Sequence, residues 1–389
     1  MASNLIGTVK AGSPTSVRAI SFSGVLNSLD ALKEIRDLWG ALLRPDASPF
    51  QTFAWNEAWY RKFEASYDEI VILVSSSERA IFPMYRKGGV LRFAGDEICD
   101  YQDAIALTSG DVSEGFEELV SLAGKMGARL QFGRLATRGL VYGAIQGMSP
   151  NREWFDPLEK TLSPCPVFEI KKTTELTLAH LPRKFRAELR RQGRRVESDF
   201  SEAVMESETA PAIRQQTLDR MIEFHRENFH FSGRNPLSDR CLVDLISEVR
   251  NDPEVGLKVS RLGDEEITLA SDLSFTRGGR FYGFMMAYNP TARRYSPGSC
   301  LLSFHLDRLI KEGVRVFDFL GGGETYKYRF STDQYFVRSV SLFPKTSSGM
   351  IFYIRLKGDR MIRSLTKSVL VKLGLRRELS YDAESGAPD

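Results

Sequence analysis

This 389-residue sequence has no long apolar run and few cysteines. No stretch approaches the roughly 18 consecutive apolar residues that a helix needs to cross a bilayer, which argues against a membrane span. The four cysteines show neither metal-ligand spacing nor a disulfide framework; they are Cys99, Cys165, Cys241 and Cys300. The first 20 residues also lack the charged start and apolar run of a secretory signal. We therefore expect a protein of the reducing cytoplasm.

Histidines are equally few, and they do not cluster. The chain has four, at His180, His225, His230 and His305. His225 and His230 are five residues apart, which is not the spacing of two metal ligands on one helical face. The sequence predicts no metal site and no permanently bound cofactor.

An excess of one charge is missing as well. The 53 basic and 50 acidic residues leave a net charge of only +3, which gives no global argument for nucleic-acid binding. Apolar residues at 42% and aromatic residues at 11% are ordinary for a folded globular protein. The length is more than one core usually covers, which favours two domains.

The most informative segment runs from Arg280 to Phe330. Phe281–Tyr288 is apolar on both alternating faces, which predicts a central strand. Ser296 and Pro297 predict a helix start with Ser296 as the capping side chain, and Gly313 predicts its end. Val314–Leu320 predicts a second strand that carries Asp318, followed by the flexible glycines 321–323. A helix start beside a sheet edge favours an anion, although most capped helices hold no ligand, so both interpretations stay open.

This segment and four others resemble one family of enzymes. The order AYNPTARRYSPGSCLL…EGVRVFDFLGGGETYKYRF is similar to the C-terminal half of GNAT-superfamily acetyltransferases of the cellulose-biosynthesis (CelD-like) type, relatives of the Fem peptidyltransferases. Upstream, the same family is resembled by SPFQTFAWNEAWYRKF (48–63), GDEICDYQDAIA (95–106), SPCPVFEI (163–170) and LPRKFRAELRRQGRRVE (181–197). The resemblance covers about residues 35–340.

The resemblance implies an α/β (α+β) fold of tandem GNAT-like units, each a mixed, mostly antiparallel sheet flanked by helices. We expect a loose tail over residues 1–20, a degenerate GNAT-like domain over 21–160 and a GNAT acetyltransferase domain over 161–348. The proline-rich residues 148–166 are predicted to connect the two domains. No repetition between the two units is visible in the sequence itself.

The resemblance also implies a reaction and its site. The enzyme would move an acyl group, most simply acetyl, from acyl-CoA as co-substrate to an amine or hydroxyl acceptor, in exopolysaccharide, cellulose or envelope synthesis. The acceptor would be a small molecule, a lipid-linked compound or a saccharide. The thioester would lie between two splayed strands, Phe281–Tyr288 and Arg315–Leu320. The residues implied on the acyl-CoA side are Arg294, Tyr295, Ser296, Pro297, Gly298, Ser299 and Lys327.

Three residues are candidates for the chemistry itself. An unpaired carboxylate inside an apolar strand is costly, so Asp318 has either a partner or a role as base. Glu324, just past the glycines, is the other candidate for the base, and Tyr326 is the candidate acid for the leaving thiolate. The alternative is that Asp318 only pairs with a neighbouring arginine and that Tyr326 only packs.

Other polar residues are candidates for binding the acceptor. Asp272 stands at a strand position, and Arg186 and Arg190 belong to an i, i+4 row on a predicted helix over residues 183–195. Guanidinium groups in such a row can hold phosphates or carboxylates, or the row can simply be a solvated helix face.

The C-terminal residues 349–389 are predicted to form a basic amphipathic helix and a disordered tail. Residues 350–377 hold eight Lys or Arg against one Asp, interleaved with apolar residues. That composition suits either a helix on an anionic membrane surface, at the inner face, or a helix packed on the protein with its basic side in water. The residues after 378 lack an apolar period.

Two other functions remain open at this stage. A Fem-like transferase would use aminoacyl-tRNA and would place the arginine row on the RNA, although the small net charge argues against nucleic acid. A non-catalytic accessory protein of polysaccharide assembly would keep the fold as a binding module. The loop from Arg294 to Cys300 only approximates the usual GNAT phosphate loop, which favours that last alternative.

Overall fold

The fold is described from a computed structural model, over residues 23–96, 98–148, 153–200, 204–229 and 236–358. The predicted tails, 1–20 and the part of 349–389 beyond 358, lie outside the described residues. In the described ranges the strands are β1 Gly24–Leu26, β2 Glu69–Val74, β3 Ala80–Lys87, β4 Val90–Phe93, β5 Ile105–Ala106, β6 Arg129–Ala136, β7 Leu158–Glu169, β8 Val204–Thr209, β9 Leu257–Gly263, β10 Thr268–Arg277, β11 Arg280–Tyr288, β12 Val316–Asp318 and β13 Asp333–Leu342.

The helices in the same ranges flank these strands. They are α1 Leu29–Glu34, α2 Arg36–Leu42, α3 Phe53–Lys62, α4 Ser109–Lys125, α5 Leu140–Gln146, α6 Thr174–Leu178, α7 Arg183–Asp199, α8 Gln215–Asn228, α9 Arg240–Val249, α10 Pro297–Lys311 and α11 Thr325–Phe330. Residues 347–358 are also helical. Within the part of the chain that the structure covers, no helix is both long and apolar enough to cross a membrane.

One sheet contains all these strands, in the order β1-β2-β3-β4-β6-β13-β7-β12-β11-β10-β9-β8, with β5 beside β3. All neighbours are antiparallel except two parallel pairs, β4 with β6 and β11 with β12. The predicted mixed, mostly antiparallel α/β fold is therefore confirmed.

The same topology occurs twice in this sheet. Strands β1–β4 are antiparallel, and α4 then crosses to β6, which lies parallel to β4. Strands β8–β11 are antiparallel in the same way, and α10 crosses to β12, parallel to β11. The tandem architecture, invisible as a sequence repeat, is therefore visible as a repeat of the connections.

The two halves are joined by shared strands. Strand β13 lies between β6 and β7, and β7 lies between β13 and β12. The prediction of a connecting segment over 148–166 was thus wrong for its second part, because residues from Leu158 onward belong to a 12-residue strand. Pro164 and Pro166 are tolerated there because their own carbonyls still accept backbone bonds, from Gly322 and Phe319.

Apolar packing differs between the two crossover helices. In the first half, α4 contributes Phe116 to an aromatic cluster with Phe93 and Phe132, with ring centroids 5.3–6.0 Å apart. In the second half, α10 packs its leucines on Phe281 and Phe317 but also carries a buried histidine, His305. The space between the parallel strands is filled in the first half and polar in the second.

Candidate active site

The parallel pair β11 and β12 separates after a short ladder. The two strands pair only from Arg280 with Val316 to Tyr282 with Asp318. Beyond that point β12 ends, whereas β11 continues to Tyr288 with a bulge at Phe284 in its pairing with β10. The expected splay between these strands is confirmed, although β12 is shorter than the strand predicted over Val314–Leu320.

A cavity of about 250 Å³ lies at this splay. Its walls come from β11, from α10, from the turn after β12 and from the N-terminal half of the chain. The residues used below that line it are Asp100, Arg134, Asp272, His305, Glu324, Tyr326 and Lys327. The cavity therefore brings both halves of the molecule to one place.

His305 and Asp272 form a buried pair in the cavity wall. Nε2 of His305 lies 3.2 Å from Oδ2 and 3.3 Å from Oδ1 of Asp272, and the two residues are only 2% and 4% exposed. An ionised carboxylate can only accept, so Nε2 is the nitrogen that donates to Asp272, and Nδ1 is the other ring nitrogen. Nδ1 has no hydrogen-bond partner among the described residues. The arrangement supplies an oriented base.

Tyr326 lies in the first turn of α11 and faces the same cavity. Burial raises the pKa of its phenol well above the usual value, and the carboxylates of Glu324 and Asp272 raise that pKa further. The phenol therefore stays protonated at neutral pH and can donate a proton.

Lys327 clamps the glycine turn between β12 and α11. Its Nζ donates to the carbonyl oxygens of Phe319 (3.0 Å) and Gly321 (3.1 Å) and forms an ion pair with Oε2 of Glu324 at 3.0 Å. Gly322 has a φ of 151°, a backbone conformation that favours glycine, and a Cβ there would lie 2.2 Å from that carboxylate oxygen. Lys327 was predicted to lie on the acyl-CoA side, but its ammonium group contacts groups of the protein itself.

Asp318 is completely buried and points away from the cavity, since its neighbours Phe317 and Phe319 line it. Its carboxylate accepts hydrogen bonds from Tyr101 (2.7 Å), Arg280 (3.1 Å), Tyr335 and the backbone N–H of Leu320 (2.8 Å). Burial raises the pKa of this carboxyl, and Arg280 and the two phenols oppose the rise. These contacts favour an anchoring role over that of a base.

Asp100 and Arg134 are cavity residues for which the sequence supplied no role. Oδ1 of Asp100 lies 2.6 Å from Nε of Arg134, and Oδ2 accepts the N–H of Gly321 at 2.9 Å. This pair ties the N-terminal half to the glycine turn. In the sequence, the only signal in the segment 95–106 is its family resemblance.

The predicted acyl-CoA loop lies at the start of α10. A 3-10 turn over Pro290–Tyr295 leads into Ser296, whose backbone is left-handed (φ 49°). The helix begins at Pro297 as predicted, but the Ser296 side chain makes no capping bond, because the left-handed backbone directs it elsewhere. A Cβ at Gly298 would lie 2.9 Å from Sδ of Met286, so glycine allows α10 to approach β11 closely.

Other predicted residues of this loop are bound to α7. The hydroxyl of Tyr295 donates to Asp199 (2.8 Å) and accepts from Nη2 of Arg294 (2.6 Å). Neither Arg294 nor Ser299 lines the cavity. Four of the predicted site residues therefore line the cavity: Asp272, Glu324, Tyr326 and Lys327. The predicted acyl-CoA loop does not line it.

Five of the six arginines of α7, all except Arg183 at its first position, divide into two groups. Arg191 pairs with Glu188 (2.5 Å) and Arg195 with Asp199 (3.7 Å). Arg186, Arg190 and Arg194 pair with no carboxylate in the described ranges. We call these three the arginine row. The row lies outside the cavity and carries uncompensated positive charge.

One family model and several solved structures are similar to this chain. Residues 183–328 match the family described as an acetyltransferase (GNAT) domain. The fold is similar to L-PGS from Bacillus licheniformis, with 12% identity and a TM-score of 0.54, over 83% of this chain and 96% of that one. It is also similar to a conserved protein of unknown function from Bacteroides thetaiotaomicron, with 11% identity and a TM-score of 0.54, over 82% and 100%. No protein of curated function matches.

The part of the chain that matches a GNAT-type acetyltransferase domain runs from α7 into α11 and supplies most of the cavity lining. Among the described residues, no group of three or more potential ligands could hold a metal ion.

Proposed function

We propose that this protein transfers an acyl group from acyl-CoA to an amine or hydroxyl acceptor in the cavity at the splayed strands. The observation that carries the proposal is the His305–Asp272 pair facing Tyr326 across a cavity inside a GNAT-type domain. Acetyl is the simplest donor group for a cavity of about 250 Å³.

The chemistry needs a base, an acid and a polarised carbonyl. Nδ1 of His305 accepts the proton of the acceptor nucleophile, and Asp272 stabilises the imidazolium that forms. The new carbon–nitrogen or carbon–oxygen bond forms as the carbon–sulfur bond breaks. Tyr326 gives its proton to the departing thiolate and regains one from the imidazolium. Backbone N–H groups of β11 past the end of the ladder are the candidates to hold the carbonyl oxygen.

The remaining predicted residues have supporting parts in this proposal. The first turn of α10, with Arg294–Ser299, is proposed for the pyrophosphate of acyl-CoA, because a helix start favours phosphate. Glu324 is the second candidate for the base, since it lines the cavity. Asp318 and Lys327 are proposed to hold the strand end and turn that carry these groups.

Calorimetric titration with acetyl-CoA and longer acyl-CoAs, followed by a thiol-release assay, tests the proposal. We expect His305→Gln and Tyr326→Phe each to lower kcat by about 100-fold or more while donor binding persists. The matched controls are His180→Gln and Tyr328→Phe, which lie outside the cavity, the latter on the same helix. Wild-type kcat in both cavity variants would refute the assignment.

The cellular setting is proposed from the motif resemblance. We propose a cytoplasmic enzyme of exopolysaccharide, cellulose or cell-envelope synthesis, of the CelD-like type, with a degenerate first domain over 21–160 and the acetyltransferase domain over 161–348. Mass spectrometry of ligands that copurify with the protein, and of acetylated products from saccharide and lipid-linked acceptors, tests this setting. Modification of free amino acids or proteins alone would contradict it.

A second candidate is a transferase that takes its acyl group from aminoacyl-tRNA. The arginine row favours it, because three guanidinium groups without carboxylate partners suit a phosphate backbone. Binding of tRNA would then weaken steeply with salt, and Arg186→Gln with Arg190→Gln would reduce that slope, whereas Arg191→Gln, on a paired arginine, would not. Absence of heat with every acyl-CoA and of tRNA binding would leave the non-catalytic accessory protein.

A further inference from the structure

The helical residues 347–358 carry an unusual concentration of exposed apolar side chains. Met350, Ile351 and Ile354 are 48%, 66% and 61% exposed, and Phe352 is 45% exposed. The other large apolar side chains that are exposed in the described ranges are single and scattered: Val25, Leu107, Leu162, Leu176 and Ile267. Scattered exposure is normal, whereas a contiguous patch indicates an interaction surface.

A different side of this helix, away from the most exposed residues, holds it to the protein. The ring of Tyr353 stacks on Phe155, with centroids 4.4 Å apart, and lies 5.9 Å from Phe343. The guanidinium of Arg129 lies 4.4 Å from the ring of Phe352. Ile354 lies three residues after Ile351 and four after Met350, so these three exposed side chains share one face of the helix, next to the packed Tyr353. We call these three residues the apolar stripe.

Basic residues accompany the apolar stripe. Arg355 and Lys357 are exposed beside it, and each is free of a carboxylate partner in the ranges that the structure covers. In the sequence the same apolar spacing continues at Met361, Ile362 and Leu365, which lie outside the described residues. Eight Lys or Arg against one Asp over 350–377 give the segment a strong positive charge, although the whole chain is nearly neutral.

We infer that the apolar stripe and its basic neighbours form a docking surface for an anionic lipid bilayer. An apolar face between cationic side chains inserts at the boundary of headgroups and acyl chains, while the cations contact anionic headgroups. The excess of positive charge over 350–377, in a chain that is otherwise nearly neutral, favours an anionic membrane over a protein partner, because binding to a protein does not require such an excess. The helix lies on the membrane rather than across it, because its other side is packed on the protein.

Cosedimentation of the full chain with vesicles tests this surface. The vesicles are phosphatidylcholine alone and phosphatidylcholine with roughly one-third phosphatidylglycerol. We expect binding to the anionic vesicles only, weakened by salt, and at least about tenfold weaker in an Ile351→Ser, Ile354→Ser variant. The matched control is Leu107→Ser with Leu176→Ser, which removes two equally exposed side chains elsewhere and should bind as the wild type does.

Several results would overturn the inference. Failure of the wild type to bind anionic vesicles, or equal binding by the Ile351→Ser, Ile354→Ser variant of unchanged circular dichroism, would each do so. Light scattering that shows a wild-type dimer and a monomeric variant, without vesicle binding, would instead assign the stripe to a second copy of the chain. Since these residues do not line the cavity, acyl transfer to a soluble acceptor should be unchanged in the variant.

Discussion

At the scale of single residues, the molecule keeps an uncharged histidine in its interior. His225 on α8 is completely buried, and burial lowers the pKa of its ring from 6.5 to about 4, although the nearby Asp272 carboxylate opposes the shift. Near neutral pH the ring is uncharged both in the folded and in the unfolded chain. As the pH falls below 6.5 the unfolded chain binds a proton that the folded chain does not, so folding stability is lost.

This difference predicts a defined window of acid sensitivity. We expect His225 to remove up to about 3 kcal/mol of unfolding free energy between pH 6.5 and 4. An His225→Asn variant should lack this contribution, so its stability curve should fall less steeply across the same window. Urea unfolding at a series of pH values measures the two slopes, and parallel curves would contradict the prediction.

Only some of the residues that line the cavity could be predicted from the sequence. Asp272 was identified as a polar residue at a strand position, Glu324 from its place just past the glycines and Tyr326 as a phenol that can act as an acid; all three line the cavity. His305 was missed because it lies on the helix α10 while its partner lies 33 residues earlier on the strand β10, so no spacing connects them. A histidine on the apolar face of a predicted helix, beside Leu302 and Leu306, was the one available signal.

At the scale of elements, the turn between β12 and α11 depends on one lysine. Lys327→Met would leave two carbonyls and the Glu324 carboxylate without their cation, at a cost of about 2–4 kcal/mol. We expect a lower melting temperature and a lower kcat, because the same turn carries Tyr326. Thermal denaturation with Lys311→Met, an exposed lysine of α10, is the comparison.

The Lys327→Met variant also distinguishes the role of Lys327 in holding the turn from the acyl-CoA binding that the resemblance implies. If Lys327 mainly held the phosphates of acyl-CoA, the Lys327→Met protein would melt like the wild type and show only a raised KM for the donor.

Elements with local signals were predicted well. The strand β11 and the helix that starts at Pro297 follow from apolar period and capping residues. The first part of β7, over 158–166, was missed because Pro164 and Pro166 are typical of a linker. The strand β12 was overestimated because Leu320 adopts a left-handed backbone (φ 56°) that no local rule requires. Pairing with strands distant in the sequence determines the extent of both β7 and β12.

At the scale of the whole molecule, the continuous sheet predicts that the two halves depend on each other. A fragment of residues 161–358 would lose β6 as the partner of β13 and Tyr101 as a donor to the buried Asp318. We expect this fragment to aggregate or to lack a cooperative thermal transition. Size-exclusion chromatography and circular dichroism measure both, with residues 23–358 as the control. A monomeric fragment with a sharp transition would contradict the prediction and support independent domains.

The position of β13 has a consequence for how the protein is made. Its residues, 333–342, are synthesised after every other strand described here, yet they lie at the centre of the sheet. While the chain grows on the ribosome, the edges of β6 and β7 remain open to other chains until β13 emerges. Completion of the sheet must therefore wait until residues 333–342 have left the ribosome, and chaperones that shield strand edges would act before that point.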